Sequence, residues 1–140
     1  MLVHAGLSII GRKGYELLID LGIERARTFA EMIRQHPDFE LTSAPELNIL
    51  TYRYCPRPVQ QRLAQATIEL TRRIDSVLDQ VNTLLQKHQR EAGKTFASRT
   101  RMRVAAHGHE ELTVLRVVLA NPRLPAHPVP VYSGRVDRAR

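Results

Sequence analysis

The segment from Leu63 to Leu85 constrains the fold most. Leu63, Thr67, Leu70, Ile74, Val77, Leu78, Val81, Leu84 and Leu85 recur at intervals of three and four, which gathers them on one face of an α-helix. Gly93 is placed to end that helix. It follows Lys87, His88 and Arg90, whose positive or partly positive groups suit the negative end of a helix dipole. An amphipathic helix of this length needs a partner surface, so the flanking segments must supply one.

On the N-terminal side, Leu7, Ile10, Leu17, Leu18, Leu21, Ala26, Phe29, Ala30 and Ile33 repeat the same spacing and predict a long helix within residues 1–35. Gly11 and Gly14 flank Arg12-Lys13, and each weakens a helix interior by about 1 kcal/mol relative to alanine, so a kink belongs there. His36-Pro37 stops the helix, because proline disfavours helical geometry in the residue before it. Phe39-Glu40-Leu41 then alternates, Ser43 to Glu46 reads as a turn around Pro45, and Leu47 to Tyr54 is rich in strand formers. Cys55-Pro56-Arg57-Pro58 breaks the pattern before the helix that opens at Leu63.

Two further strands follow, Thr95 to Val104 with alternating arginines and Leu112 to Ala120, whose run Leu115, Val117, Val118, Leu119 suggests deep burial. The expected fold is therefore α+β, two long helices packed on one face of an antiparallel four-stranded sheet. Residues 123–140 hold scattered apolar residues and read as an extended or disordered tail.

With 140 residues and 43% hydrophobic content, one compact domain or part of a larger one is expected. No run approaches the roughly 18 to 20 apolar residues of a membrane span. The start lacks the pattern of a signal peptide, so a cytoplasmic protein without a membrane partner is expected. The one cysteine, Cys55, reads as a strand-end residue rather than part of a disulfide or zinc site. A net charge of +7 invites a nucleic-acid partner. The basic residues are dispersed among acids, however, and aromatic residues make up only 5% of the chain, too few to interleave with them as a base-stacking platform, so no nucleic-acid site is expected.

Candidate chemistry is sparse. His107 and His109, with Glu110 and Glu111 beside them, resemble a metal cluster in composition, but a turn is a poor preorganised ligand set; the expectation is a solvated turn and no metal site. Gly11-Arg12-Lys13-Gly14 lacks the strand and spacing of a phosphate-binding loop and reads as a helix hinge. His4, His36, His88 and His127 stand isolated from any nucleophile, and no catalytic residue is assigned. Arg116 is more informative. It interrupts an apolar run, where a charge is costly unless paired, so it is either a solvent-facing strand residue or a guanidinium that grips a carboxylate through two parallel hydrogen bonds.

Ala5-Gly6-Leu7-Ser8-Ile9-Ile10-Gly11-Arg12-Lys13-Gly14-Tyr15-Glu16, Asp38-Phe39-Glu40-Leu41, Phe96-Ala97-Ser98-Arg99-Thr100 and Leu115-Arg116-Val117-Val118-Leu119-Ala120-Asn121-Pro122 together resemble the group II pyridoxal-phosphate-dependent amino-acid decarboxylases. The match is collinear over about residues 1 to 122 and looks closest to the bacterial branch acting on aspartate, glutamate or 2,4-diaminobutyrate. The resemblance implies the C-terminal portion of such an enzyme. Residues 1–35 would be the helix leading from the cofactor domain, and 36–122 the small C-terminal domain of the pyridoxal-dependent transferase fold. The family's Schiff-base lysine, pyridine-pairing aspartate and ring-stacking histidine lie upstream of the matched segment, and neither Lys13, Lys87 nor Lys94 matches the lysine's context. Arg116 does match a family arginine that engages a substrate carboxylate.

The expectation is thus a decarboxylase fragment, a carbon–carbon lyase by family, that binds no pyridoxal phosphate and has no activity alone. Its partners would be a second copy or an intact decarboxylase subunit, with an acidic amino acid as substrate only in the complete enzyme. The alternative is a noncatalytic binding or regulatory module that associates through an apolar patch of Leu2, Leu7, Ile9 and Ile10.

Overall fold

Proline and glycine end both long helices and open the short one between them. The computed structural model describes residues 2–93, 96–104, 107 and 111–120, the side chains of 2–5 excepted. The expectations placed on Leu2, His4, Lys94, Thr95, His109, Glu110, His127, Asn121-Pro122 and the 123–140 tail lie outside the described residues or side chains. The chain runs α1 (Leu2–Gln35), β1 (Phe39–Glu46), β2 (Ile49–Tyr54), α2 (Arg57–Leu63), α3 (Ile68–Ala92), β3 (Ser98–Arg103) and β4 (Glu111–Val118). No helix among the described residues is long and apolar enough to cross a membrane.

Helix α1 ends before Pro37 as expected and kinks at Gly11, whose φ of 66° and ψ of 178° leave helical space for a conformation that glycine tolerates. Its stripe is buried only in the second half. Ala26, Ala30 and Ile33 pack with Leu50, Tyr52, Ala97 and Leu115, with Phe29, Phe39 and Leu41 around them. Gly22 allows the close approach, since a Cβ there would lie 3.1 Å from both Asn48 Cβ and the Leu119 carbonyl oxygen. The single continuous buried face expected from the periodicity is therefore corrected: Leu7, Ile10 and Leu17 are exposed, beyond the reach of the sheet.

The hairpin differs from expectation in its turn. Strand β1 continues through Ser43–Glu46, and the reversal falls on Leu47 and Asn48, with Leu47 at a positive φ of 57°. Pro45 is tolerated because β1 is an edge strand, and two register shifts, between Leu41 and Ser43 and between Ser43 and Glu46, absorb the irregularity. The expected second helix also divides. Pro56 caps the short α2, with a proline in its first turn; Thr67 opens α3 by accepting a hydrogen bond from the Leu70 amide. Gly93 closes α3 in the left-handed conformation, as expected.

The sheet is antiparallel in the order β1-β2-β4-β3. The observed class is α+β with three helices and four strands, rather than two helices and four strands. Register and alternation put Phe39, Leu41, Leu50, Tyr52, Leu115 and Val117 on the face that α1 covers. Glu40, Ser43, Thr51, Arg53, Arg116 and Ser98 share the opposite face. Edge strand β3 exposes Arg99, Arg101 and Arg103 in alternation, while the expected deep burial along β4 holds for Leu115 but not for Val118, which is 51% exposed.

Helix α3 does not lie flat on the α1 face. It enters the fork where β2 ends beside β4. The Asn82 side chain accepts from the Tyr54 amide at 2.7 Å and donates to the Tyr54 carbonyl at 3.0 Å. Asp79 Oδ1 accepts from the Thr113 amide at 2.8 Å. Helix side chains thus satisfy backbone groups that a neighbouring strand would otherwise pair. The buried stripe of α3 is accordingly Asp75, Leu78 and Asn82, rotated from the expected one; Val77 and Leu84 face outward.

Candidate functional site

Four charged side chains converge at this fork. Arg53 comes from β2, Glu40 from the facing position of β1, Asp75 from α3, and His107 from the turn after β3. Arg53 is fully buried, the largest side chain among the described residues to be so. Its Nε donates to Glu40 Oε2 and its Nη1 to Asp75 Oδ1, both at 2.9 Å. His107 Nε2 lies 3.1 Å from Glu40 Oε1, and its Nδ1 stands 3.3 Å from Asp75 Oδ2, close enough for charge attraction although no donor aligns a hydrogen bond on that oxygen.

The electrostatics follow from burial and pairing. Burial alone would raise the carboxyls of Glu40 and Asp75, but contacts with His107 and Arg53 outweigh it and hold both below their ordinary values. Asp75 and then Glu40 push His107 up to about 9, against desolvation and the Arg53 charge. A protonated His107 gives two cations and two anions, a neutral quartet, which makes 3.2 Å between His107 Nε2 and Arg53 Nη2 tolerable. The quartet joins two strands, one helix and one turn, so it fixes the geometry of the fork.

The solvated-turn expectation is corrected for His107, which is only 6% exposed. No group of histidine, cysteine and carboxylate side chains among the described residues could hold a metal ion. Cys55, buried just beyond β2, has its thiol pushed up to about 11, chiefly by burial, which keeps it protonated and inert.

Beside the quartet, an open groove of about 810 Å³ runs between α3 and strands β3 and β4. Its lining includes Asp75 and Asp79 together with the Arg101–Glu111 pair, separated by 3.7 Å. Its charges are largely engaged by the protein itself.

Arg116 lies on the open part of the face opposite α1, exposed, with its Nε donating to Ser98 Oγ at 3.1 Å. Cross-strand register aligns Ser43, Thr51, Arg116 and Ser98 in one polar row. Among the described residues Arg116 forms no ion pair, and the structure does not bring it together with the quartet. Sequence reasoning missed Arg53, Glu40 and Asp75. The signals were present: Arg53 interrupts a strand as Arg116 does, and Asp75 and Asn82 are polar residues in line with Leu78.

The structure is similar to the glutamate decarboxylase domain of diaminobutyrate-pyruvate transaminase and L-2,4-diaminobutyrate decarboxylase from Vibrio parahaemolyticus, with a TM-score of 0.61, 21% identity, and coverage of 87% of this chain and 21% of that one. It is also similar to mouse cysteine sulfinic acid decarboxylase, with a TM-score of 0.68, 22% identity, and coverage of 87% and 23%. The solved structures it resembles are group II pyridoxal-phosphate-dependent decarboxylases, and the chain spans about a fifth of their length. In sequence it is 50% identical over 122 residues to the aspartate 1-decarboxylase of Aliivibrio fischeri, a match that spans 87% of this chain and 22% of that relative. No protein-family model matches the chain.

Pyridoxal phosphate is the cofactor this family implies, and its attachment requires a lysine amino group facing an enclosed cavity. Lys13 and Lys87 are both exposed on helices, Lys87 with its Nζ 3.9 Å from Glu91, and no lysine lines the groove. The described residues do not fit the cofactor.

Proposed function

We propose that this chain works as the small C-terminal segment of a pyridoxal-phosphate-dependent decarboxylase of an acidic amino acid. Residues 36–122 form the small domain and 1–35 the helix leading to a cofactor domain. The observation that carries this reading is the 50% identity to an aspartate 1-decarboxylase across 122 residues. Arg116 binds a carboxylate of the substrate, and its exposure on an open polar face suits that role. The lysine and the cofactor come from another domain, so the 140-residue chain is inactive by itself. It acts in the cytoplasm as a second subunit or a homodimer, without nucleic acid or membrane.

The test is to incubate the purified chain with pyridoxal phosphate and scan absorbance near roughly 330 and 420 nm, where bound pyridoxal species absorb. Borohydride reduction and peptide mapping follow on the same sample. The expected outcome is no band alone, and aspartate decarboxylation only after a chain carrying the cofactor domain is added. A single reduced lysine adduct in this chain would refute the division of labour.

A second reading is favoured by one observation, the exposure of Leu7, Ile9 and Ile10 at 47%, 82% and 43%. In that reading the chain is a noncatalytic module that docks on itself or on an intact decarboxylase through this patch. Substituting Ile9 and Ile10 by serine would then abolish association measured by sedimentation.

A further inference from the structure

We propose that Ser98 is the positioning residue for Arg116, and that together they offer the outer edge of the guanidinium to one carboxylate of a dicarboxylic ligand. This rests on the reading of Arg116 as a carboxylate-binding residue.

The geometry is specific. Ser98 and Arg116 face each other across β3 and β4, and the Ser98 hydroxyl donates its one proton to the Arg116 carbonyl oxygen at 3.2 Å. Its lone pairs are then left to accept, and Arg116 Nε–H donates to them at 3.1 Å. Backbone and side chain of one arginine are thus tied to a single hydroxyl. On the other side of Arg116 stands Thr51, whose hydroxyl contacts Thr42, Ser43 and Met102 within 3.2 Å instead. Among the described residues, Ser98 is the hydrogen-bond partner that holds the Arg116 side chain.

That choice of nitrogen selects the approach. A guanidinium can meet a carboxylate bidentately through Nε and one Nη, or end-on through both Nη groups. With Nε taken by Ser98, the side-on edge is closed and the two Nη groups of the exposed Arg116 remain, unpartnered among the described residues. A carboxylate is therefore received end-on, along the arginine axis. An arginine free to rotate would accept either approach and lose more side-chain freedom on binding, so Ser98 supplies both affinity and orientation.

The experiment follows the side-chain Nε–Hε signal of Arg116 by nitrogen-15 NMR in the 140-residue chain during titration with succinate. In the wild type, that signal is ordered, exchanges slowly with water and shifts as succinate binds. In Ser98→Ala it becomes mobile and fast-exchanging, and succinate Kd rises about threefold to tenfold, the range for one lost hydrogen bond. Ser98→Thr, which keeps the hydroxyl, restores both. Arg116→Ala removes binding altogether.

Equal Kd in wild type and Ser98→Ala, with Arg116→Ala still abolishing binding, overturns the Ser98 assignment and leaves the carboxylate reading intact. A wild type in which Arg116 does not respond to succinate overturns the reading and the assignment with it.

Discussion

Raising the pH from 6 to 8.5 should destabilise this protein by about 2 kcal/mol through a single imidazole. His107 is about 5% exposed at its side chain and holds its proton up to about 9, against an ordinary value of 6.5. A group whose pKa is raised by folding contributes its full stability below the unfolded value and loses it as the pH climbs through the folded one. Holding the proton over that span corresponds to about 3 kcal/mol, most of which disappears by pH 8.5. Cys55, pushed up to about 11 from 9.0, acts in the same direction but only at higher pH, so the chosen window isolates His107.

The assay is urea unfolding followed by far-ultraviolet circular dichroism at half-unit pH steps, for the wild type and for His107→Asn. The difference between the two curves subtracts every other titrating group. The wild type should lose about 2 kcal/mol relative to the variant across the window, equivalent to roughly 6 to 10 °C in Tm for a chain of this size. Parallel pH profiles, or an imidazole that titrates near 6.5 by NMR, would refute the argument that Asp75 and Glu40 hold the proton. At the acid end the sign reverses. Glu40 and Asp75, held below their ordinary values, contribute stability that is lost as the pH falls through their folded values.

Two further outcomes are expected. Arg53→Met leaves Asp75, which is 4% exposed, without its principal cation, and should cost about 3 to 5 kcal/mol in chemical denaturation, the range for breaking a buried pair. Leu47→Gly should stabilise the protein by about 1 kcal/mol in the same measurement, because Leu47 is 65% exposed and sits at a positive φ that costs a residue with a Cβ about that much.

Periodicity and breakers carried much of the fold. Pro37 and Gly93 set helix ends, and the alternating arginines marked β3. What they could not convey was how far each apolar stripe would find a partner. The α1 pattern is continuous to Leu7, yet burial begins near Gly22, because the sheet extends no further. Pro45 read as a turn because nothing local reveals that its strand lies at an edge. The quartet was missed for a different reason: Arg53 breaks a strand pattern and Asp75 a helix stripe, but nothing in the sequence pairs them with Glu40 and His107, which meet only where four elements converge. Arg116 stood out because its neighbours on β4 are apolar, and its hydrogen bond to Ser98 did not, since that depends on the register of another strand.

The outer strands of the sheet carry a consequence for behaviour in concentrated solution. An unpaired strand edge is a template on which another chain can add, and among the described residues the sheet ends in two of them. On one side Pro45 and two register shifts deny a regular row of amides; on the other, Arg99, Arg101 and Arg103 would bring like charges together if two copies met edge to edge. Part of the +7 net charge is thus spent against aggregation. The basic surface that first suggests a polyanion partner sets like charges along an edge where strands of two copies would otherwise pair.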